Sequence, residues 1–302
     1  MITPGSARGA AALVLLIGLA GSGRAAAQAV CSAPHSAPTL SRAGIGIQPA
    51  GSGWLQITGY HARSDAFFGP DGDSRPFLSD GRATTSSAYI TAAGGIGRGV
   101  EIWVQVPVHR IEFADETGSR TRIGIGDPRI SARVGGALVG LETLPVSVRA
   151  GLKLPGSEFP VDPDVIPISE GQTDFEVALE AGRLLGGAYP LRLVGWAGYR
   201  WRFENRERAR QPGDERFARL GVGGPVSRFR WDLALEGLWG TAPVQQGFRL
   251  DGARRRLVQV LPTIGWSVGI AELELTGRIS VSGRNLPTGP SLSAGVLLPW
   301  SL

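Results

Sequence analysis

The residues of this sequence that are best spaced for binding or screening charged groups are charged residues at alternate positions. Three successive stretches carry them, the first basic, the second acidic and the third basic. In an extended chain, alternate residues point to one face, so each stretch would present its charges together. These candidate residues are Arg149, Lys153, Asp174, Glu176, Glu180, Arg192, Arg200 and Arg202.

If the three stretches are neighbouring antiparallel strands, their charges meet across the strands. Cross-strand neighbours on one face have Cβ atoms about 4.5–5.5 Å apart, and cations on both sides favour the ionised form of the acids. The predicted pairs are Lys153 with Asp174, Glu176 with Arg200, and Asp174 with Arg202. Such a ladder has two interpretations: a charged constriction that screens solutes, or a wall that only satisfies its own charges.

Nucleophilic catalysis requires a His and a Ser held together with an orienting polar group. The chain has three histidines. His35 lies in a Pro- and Ser-rich tail, His61 is near Ser64 at the end of a predicted strand, and His109 has no serine nearby in its own strand. We therefore predict no catalytic residues and no enzymatic activity.

Two acidic clusters offer the oxygen ligands that calcium prefers. They are Asp71-Gly72-Asp73 and Asp162-Pro163-Asp164. Neither has the spacing of a complete calcium loop, so we interpret both as solvated turns. The sequence thus predicts no metal site and no cofactor.

The elements that would position the charged residues are β-strands. Period-2 alternation of apolar residues, bounded by clusters of Gly, Pro and Asp, indicates about twelve of them. The predicted strands span residues 53–63, 84–95, 99–113, 123–136, 144–154, 173–185, 189–203, 215–225, 229–241, 254–267, 270–282 and 290–300.

The links between these strands alternate in length. Even-numbered strands are followed by tight links such as Ile96-Gly97-Arg98. Long loops outside and short turns in the periplasm are typical of outer-membrane barrels. We therefore predict an all-β fold, a single transmembrane antiparallel β-barrel with both termini periplasmic. The long polar links that follow the odd-numbered strands are residues 64–83, 114–122, 155–172, 204–214, 242–253 and 283–289.

The two faces of the predicted strands differ in polarity. In residues 229–241, Leu233 and Leu235 alternate with Asp232 and Glu236. A charge facing lipid costs about 2–4 kcal/mol for Arg or Lys at the bilayer midplane, so the charged faces are predicted to line the lumen. Tryptophan prefers the membrane interfaces, and those at predicted strand ends are Trp54, Trp201, Trp231, Trp239, Trp266 and Trp300.

The start of the chain has the features of a cleavable signal peptide. Arg8 supplies a positive charge, and residues 9–21 form an apolar stretch too short to cross a bilayer as a helix. Small residues then precede a predicted cleavage after Ala29, so residues 1–29 are assigned to the signal. Residues 30–52 are predicted to be a periplasmic lead-in, and residues 53–302 the barrel.

Composition narrows the classes of protein further. The net charge is +5, with 31 basic and 26 acidic residues whose signs interleave, whereas a nucleic-acid-binding protein concentrates its basic residues on one face. The single cysteine, Cys31, excludes an internal disulfide. A lipid anchor on Cys31 needs a small residue before it, but that residue is Val30; the alternative is a free thiol.

Several short glycine-rich segments resemble a known family. They are Gly124-Ile125-Gly126-Asp127, Gly151-Leu152-Lys153-Leu154-Pro155-Gly156, Gly171-Gln172-Thr173-Asp174, Gly198-Tyr199-Arg200-Trp201-Arg202 and Gly213-Asp214-Glu215. Over residues 124–215 the chain resembles the outer-membrane barrels named for the MetA pathway of phenol degradation. That family usually has a Thr between Pro155 and Gly156, which is missing here. The resemblance implies a barrel and, by association, uptake of small or hydrophobic compounds.

The end of the chain resembles the signal that the barrel-insertion machinery reads, with alternating apolar positions closing on Trp300; Ser301 and Leu302 then follow. We therefore expect the cell outer membrane as the location. The expected partners are outer-membrane lipid, the barrel-insertion machinery and a small-molecule solute. The predicted function is a channel or transporter for small solutes, including hydrophobic or aromatic ones. The alternative is a structural or adhesive barrel whose charge-filled lumen does not conduct.

Overall fold

Twelve antiparallel strands form a closed barrel in the computed structural model, which describes residues 46–140, 145–156, 168–186 and 190–302. The predicted signal peptide and most of the predicted lead-in lie outside these residues. The strands are β1 Ser52–Ser64, β2 Arg82–Gly97, β3 Val100–Asp115, β4 in two parts (β4a Gly118–Ile125 and β4b Arg129–Gly135), β5 Val146–Lys153, β6 Asp174–Leu185, β7 Leu191–Arg202, β8 Glu215–Val226, β9 Phe229–Gly240, β10 Arg256–Val268, β11 Ala271–Arg284 and β12 Ser291–Ser301.

The barrel closes between its first and last strands. β1 pairs with β12 from Ser52 opposite Ser301 to Ala62 opposite Ser291. On its other side, β12 pairs with β11, so the C-terminal strand has a partner on both edges. Closure of this kind satisfies the backbone N–H and C=O groups that an open sheet edge would leave unpaired in lipid.

The outer surface of the strands is apolar and the inner surface is polar. Ile57, Leu235 and Ile264 point outward with more than half of their surface exposed, whereas the adjacent inward residues Gln56 and Glu236 are buried. This inside-out pattern is that of a membrane barrel, whose lipid replaces the core of a soluble protein. None of the helical turns among the described residues is long and apolar enough to cross a membrane.

The predicted strand boundaries hold to within a few residues, except around β4. The predicted long link at residues 114–122 was wrong, because β3 and β4a continue as a hairpin that turns between Asp115 and Gly118. The Asp115 carboxylate stabilises this turn by accepting hydrogen bonds from the backbone N–H and the hydroxyl of Thr117, at 2.8 Å and 2.5 Å.

β4 is interrupted at Gly126-Asp127-Pro128, between its two parts. Proline has no N–H to donate to a sheet, so Pro128 interrupts the hydrogen-bond ladder. β4b continues the wall by pairing with both β3 and β5. Among the described residues β4a pairs with β3 alone, so the part of β4 that precedes Pro128 has no pairing with β5.

The predicted interfacial position of Trp54 was wrong. Trp54 is 3% exposed and packs inside the barrel with Ala93, Trp103 and Leu297, because its register position on β1 faces the lumen. The other tryptophans predicted at the interfaces are about two-fifths exposed on the outer surface.

The long links contain short strands of their own. Two small three-stranded sheets lie there, one formed by Ala66–Phe68, Ser74–Pro76 and Leu286–Thr288, the other by Arg210–Gln211, Val244–Gln245 and Phe248–Arg249.

Candidate functional site

The inner faces of β5, β6 and β7 carry the charged ladder in the register that the sequence predicts. Lys153 lies opposite Asp174, and Arg200 and Arg202 lie opposite Glu176 and Asp174. The Lys153 Nζ is 3.0 Å from Asp174 Oδ2, and the Arg200 Nη2 is 2.9 Å from Glu176 Oε2. All five side chains are buried in the lumen.

Further ion pairs extend the ladder in both directions around the barrel. Toward β4b, Arg149 donates to Glu176 at 2.5 Å and to Glu180 at 2.8 Å. Toward β8, Arg200 donates to Glu215 at 2.7 Å, and Arg255 donates to the same carboxylate at 2.5 Å.

Among the described residues these pairs form one continuous network of seven cations and seven carboxylates, which we call the upper network. The cations are Arg129, Arg133, Arg149, Lys153, Arg200, Arg202 and Arg255. The carboxylates are Glu101, Asp127, Glu170, Asp174, Glu176, Glu180 and Glu215.

Arg192 is the one predicted lumen residue that lies apart from the other seven. It donates to Asp232 at 2.8 Å, and Asp232 is also paired with Arg230. Arg230 in turn contacts Glu272 and Glu274 at 2.7 Å and 2.8 Å. Arg192 therefore belongs to a second network, near the opposite end of β7.

An apolar cluster on five adjacent strands lies inside the barrel between the two networks. Trp196 and Phe217 are its largest members, and Leu261 is fully buried against them. The Arg219 guanidinium lies 4.9 Å from the centre of the Trp196 ring, and the Arg200 guanidinium lies 5.7 Å from that of Phe217. Cation–π contacts of this kind join the apolar layer to the charges on either side.

Three glycine-rich segments meet at Asp127, beside the break in β4. The Asp127 carboxylate accepts hydrogen bonds from the N–H groups of Gly156 and Glu170, both at 3.1 Å, and from the Ser169 hydroxyl. A Cβ on Gly156 would lie 1.7 Å from the carbonyl oxygen of Gly126, so only glycine fits there. Asp127 thus anchors both ends of the link between β5 and β6.

Residues 168–172, which we call the inner segment, fold into the barrel mouth. Ile168 is buried against Ile111 and above Gly124. The Glu170 carboxylate lies 2.7 Å from Lys153 Nζ, pairs with the guanidinium of Arg202, and is 4.0 Å from that of Arg255.

The charge state of Glu170 follows from these contacts. Burial by itself raises the pKa of a carboxyl group, but Arg202 and Lys153 hold the pKa of Glu170 well below its ordinary value. Glu170 is therefore ionised at neutral pH, and acid would discharge it only below the usual range of a glutamate.

Sequence reasoning missed several members of the upper network. Glu170 lies in the link at residues 155–172, which was interpreted only as a polar loop. Glu215 could have been found, since it alternates with Phe217 and Arg219 on the inner face of β8. Arg255 precedes β10 and has no strand periodicity to reveal its direction.

The prediction that His109 has no serine beside it holds only along its own strand. Ser87 lies directly opposite on β2, and its Oγ is 2.7 Å from His109 Nδ1. Both side chains are buried. Among the described residues, Ser87 is the one hydrogen-bond partner of the His109 imidazole. The third, orienting group of a catalytic triad is therefore missing there. No group of three or more potential metal ligands occurs in the described part of the chain.

Comparison with solved structures agrees with this architecture. An outer membrane channel from Pseudomonas putida F1 matches 86% of this chain and 99% of its own, with a TM-score of 0.65 and 14% identity. The chain has the fold of an outer-membrane β-barrel. The beta domain of the Bordetella autotransporter BrkA matches 83% of this chain and 100% of its own, with a TM-score of 0.50 and 11% identity. The protein is therefore located in the bacterial outer membrane.

No family model matches the sequence. No curated protein matches it either. The resemblance to the barrels of the phenol-degradation pathway accordingly stays a prediction.

Proposed function

We propose that this barrel is a channel for small solutes across the outer membrane. The observation that carries the proposal is the charged lining of its lumen. Buried ion pairs contribute little net stability compared with well-packed apolar residues, so a barrel that needed only to be stable would have no reason to gather these fourteen charges inside its lumen. A polar path for solutes gives these charges a role.

Two further observations support the proposal. The upper network includes Glu170, which belongs to the inner segment and not to a strand of the wall. The Pseudomonas putida F1 protein of similar fold is itself named as a channel. Small hydrophobic or aromatic compounds are the solutes that the family resemblance implies.

A structural barrel with a closed lumen is the second candidate. It is favoured by the balance of the upper network and by the burial of its members, since Arg202 is 2% and Glu215 is 1% exposed. On this interpretation the charges lock the strands together and admit no solute.

Conductance of the purified, refolded protein in a planar lipid bilayer separates the two candidates. A channel gives steady single-channel openings, whose ion preference shifts toward anions in the double variant Asp174→Asn with Glu176→Gln because two lumen charges are lost. A closed scaffold stays silent, and its double variant loses heat resistance instead.

A further inference from the structure

We propose that Lys153, Arg202 and Arg255 form a binding site for the carboxylate group of a transported solute, and that Glu170 occupies this site in the resting channel. The inference rests on the proposed channel function and narrows its substrates to small organic monocarboxylates. Glu170 is then an internal competitor for the solute.

The site is built to bind a carboxylate, because it binds one already. Lys153 Nζ lies 2.7 Å from one oxygen of Glu170, and the guanidinium groups of Arg202 and Arg255 approach the other. Charge-assisted hydrogen bonds from Arg and Lys are the interactions by which proteins recognise carboxylates.

The carboxylate that now fills the site is carried by a displaceable part of the chain. Residues 168–172 belong to no strand, and within the described residues their backbone makes no backbone–backbone hydrogen bond. The inner segment is held instead by the ion pairs of Glu170, by the bonds from Ser169 and Glu170 to Asp127, by the bond from Gln172 to Asp174, and by the packing of Ile168. Moving the inner segment therefore breaks no strand pairing of the barrel.

Charge balance sets the class of solute. Over the described residues the upper network has seven cations and seven carboxylates with Glu170 in place, and withdrawal of Glu170 leaves one of these cations in excess. An uncompensated buried charge is costly, so the exchange is favourable only if the incoming group carries one negative charge. A neutral or cationic solute leaves the excess charge in place.

A small cavity adjoins the site on the side of Lys153. It is lined by Trp103, Ser131 and Arg149, and also by the carboxylates Asp174 and Glu176. Ser131 Oγ and Arg149 Nη2 have no hydrogen-bond partner among the described residues, so two donors await an acceptor. Trp103 offers an aromatic surface to an apolar body.

The test compares benzoate with benzamide, its neutral isostere, on the refolded full-length barrel in detergent micelles. Glu170→Gln removes the internal competitor, so benzoate binding measured by isothermal titration should strengthen by at least about tenfold. In the native protein Glu170 occupies the site in most molecules, which lowers the apparent affinity for benzoate. Benzamide binding should not change. Glu112→Gln, which removes an exposed carboxylate of β3, is the matched control and should behave as the native protein.

Two further variants keep the test decisive. Lys153→Met should abolish the gain produced by Glu170→Gln. Ser169→Ala loosens the inner segment without changing any charge, so it should also strengthen benzoate binding. It replaces Glu170→Gln as the test if that variant does not fold, and folding is judged by heat-modifiable migration on gels.

Equal strengthening for benzamide, or none for benzoate in folded Glu170→Gln and Ser169→Ala proteins, would overturn the carboxylate site. Benzoate binding without conductance in planar bilayers would overturn the proposed channel while supporting the site. Conductance without benzoate binding would overturn the carboxylate site while supporting the proposed channel.

Discussion

Three arginines converge on the carboxylate of Glu215. Its oxygens contact Arg200, Arg202 and Arg255 at 2.7, 3.2 and 2.5 Å, and its side chain is 1% exposed. Because these cations cannot lose their protons at any ordinary pH, the network depends on the charge of Glu215 rather than on its shape.

We therefore expect Glu215→Gln to destabilise the barrel by about 3–5 kcal/mol, the usual effect of removing one partner of a buried ion pair. The measurement is the free energy of unfolding in urea, with the barrel in lipid vesicles. Glu116→Gln, in the exposed turn between β3 and β4a, should leave it unchanged. Equal stability of the two variants would mean that water compensates the arginines.

Much of this site could be predicted from single residues and their spacing. Period-2 alternation places a residue on a face, so the predicted pairs of β5, β6 and β7 follow once the strands are neighbours. Glu170 and Arg255 lie in links, where the backbone has no fixed period, and nothing in their spacing shows that they turn inward. The contact of Ser87 with His109 was missed for another reason: it depends on the register of β2 against β3, and that register shifts between Gly95 and Gly97.

Among the strands, the prediction failed where a strand leaves the membrane. β4a and the end of β3 extend past the apolar band, so neither face of residues such as Arg120 and Thr121 needs to be apolar. Without that constraint the alternation of polarity disappears, and a regular hairpin has the composition of a loop. At Pro128 the error was of the opposite kind. The alternation of polarity predicted one unbroken strand over residues 123–136, whereas the strand is interrupted at Pro128.

The long and short connections predict the orientation of the barrel. The β5–β6 link is long and the β6–β7 link is short, so the first should be extracellular and the second periplasmic. An epitope inserted at residues 160–165 should be accessible to antibody on intact cells, and one inserted at residues 186–187 should become accessible only after the outer membrane is permeabilised. The reverse pattern would invert the topology.

For the molecule as a whole, the outer apolar band decides the solvent in which it folds. Side chains such as Leu220, Leu233 and Leu275 point outward around the barrel, each about half exposed. An exposed apolar surface of this extent leads to aggregation in water.

We expect the protein to fold only in detergent or lipid, and to migrate differently on gels before and after boiling, because the closed barrel resists unfolding by detergent at room temperature. Gel mobility at both temperatures, together with light scattering, checks this. A monodisperse monomer in detergent-free buffer would contradict the membrane assignment.

Lys153 lies at the centre of the upper network and is the single lysine in the sequence. Its ammonium group contacts Asp127, Glu170 and Asp174, and its side chain is 4% exposed. Apart from the amino terminus, every primary amine of this protein is therefore hidden inside the lumen. An amine-reactive reagent on the folded barrel therefore has a single side-chain target, and the rate at which Lys153 is modified measures how readily the reagent reaches the upper network.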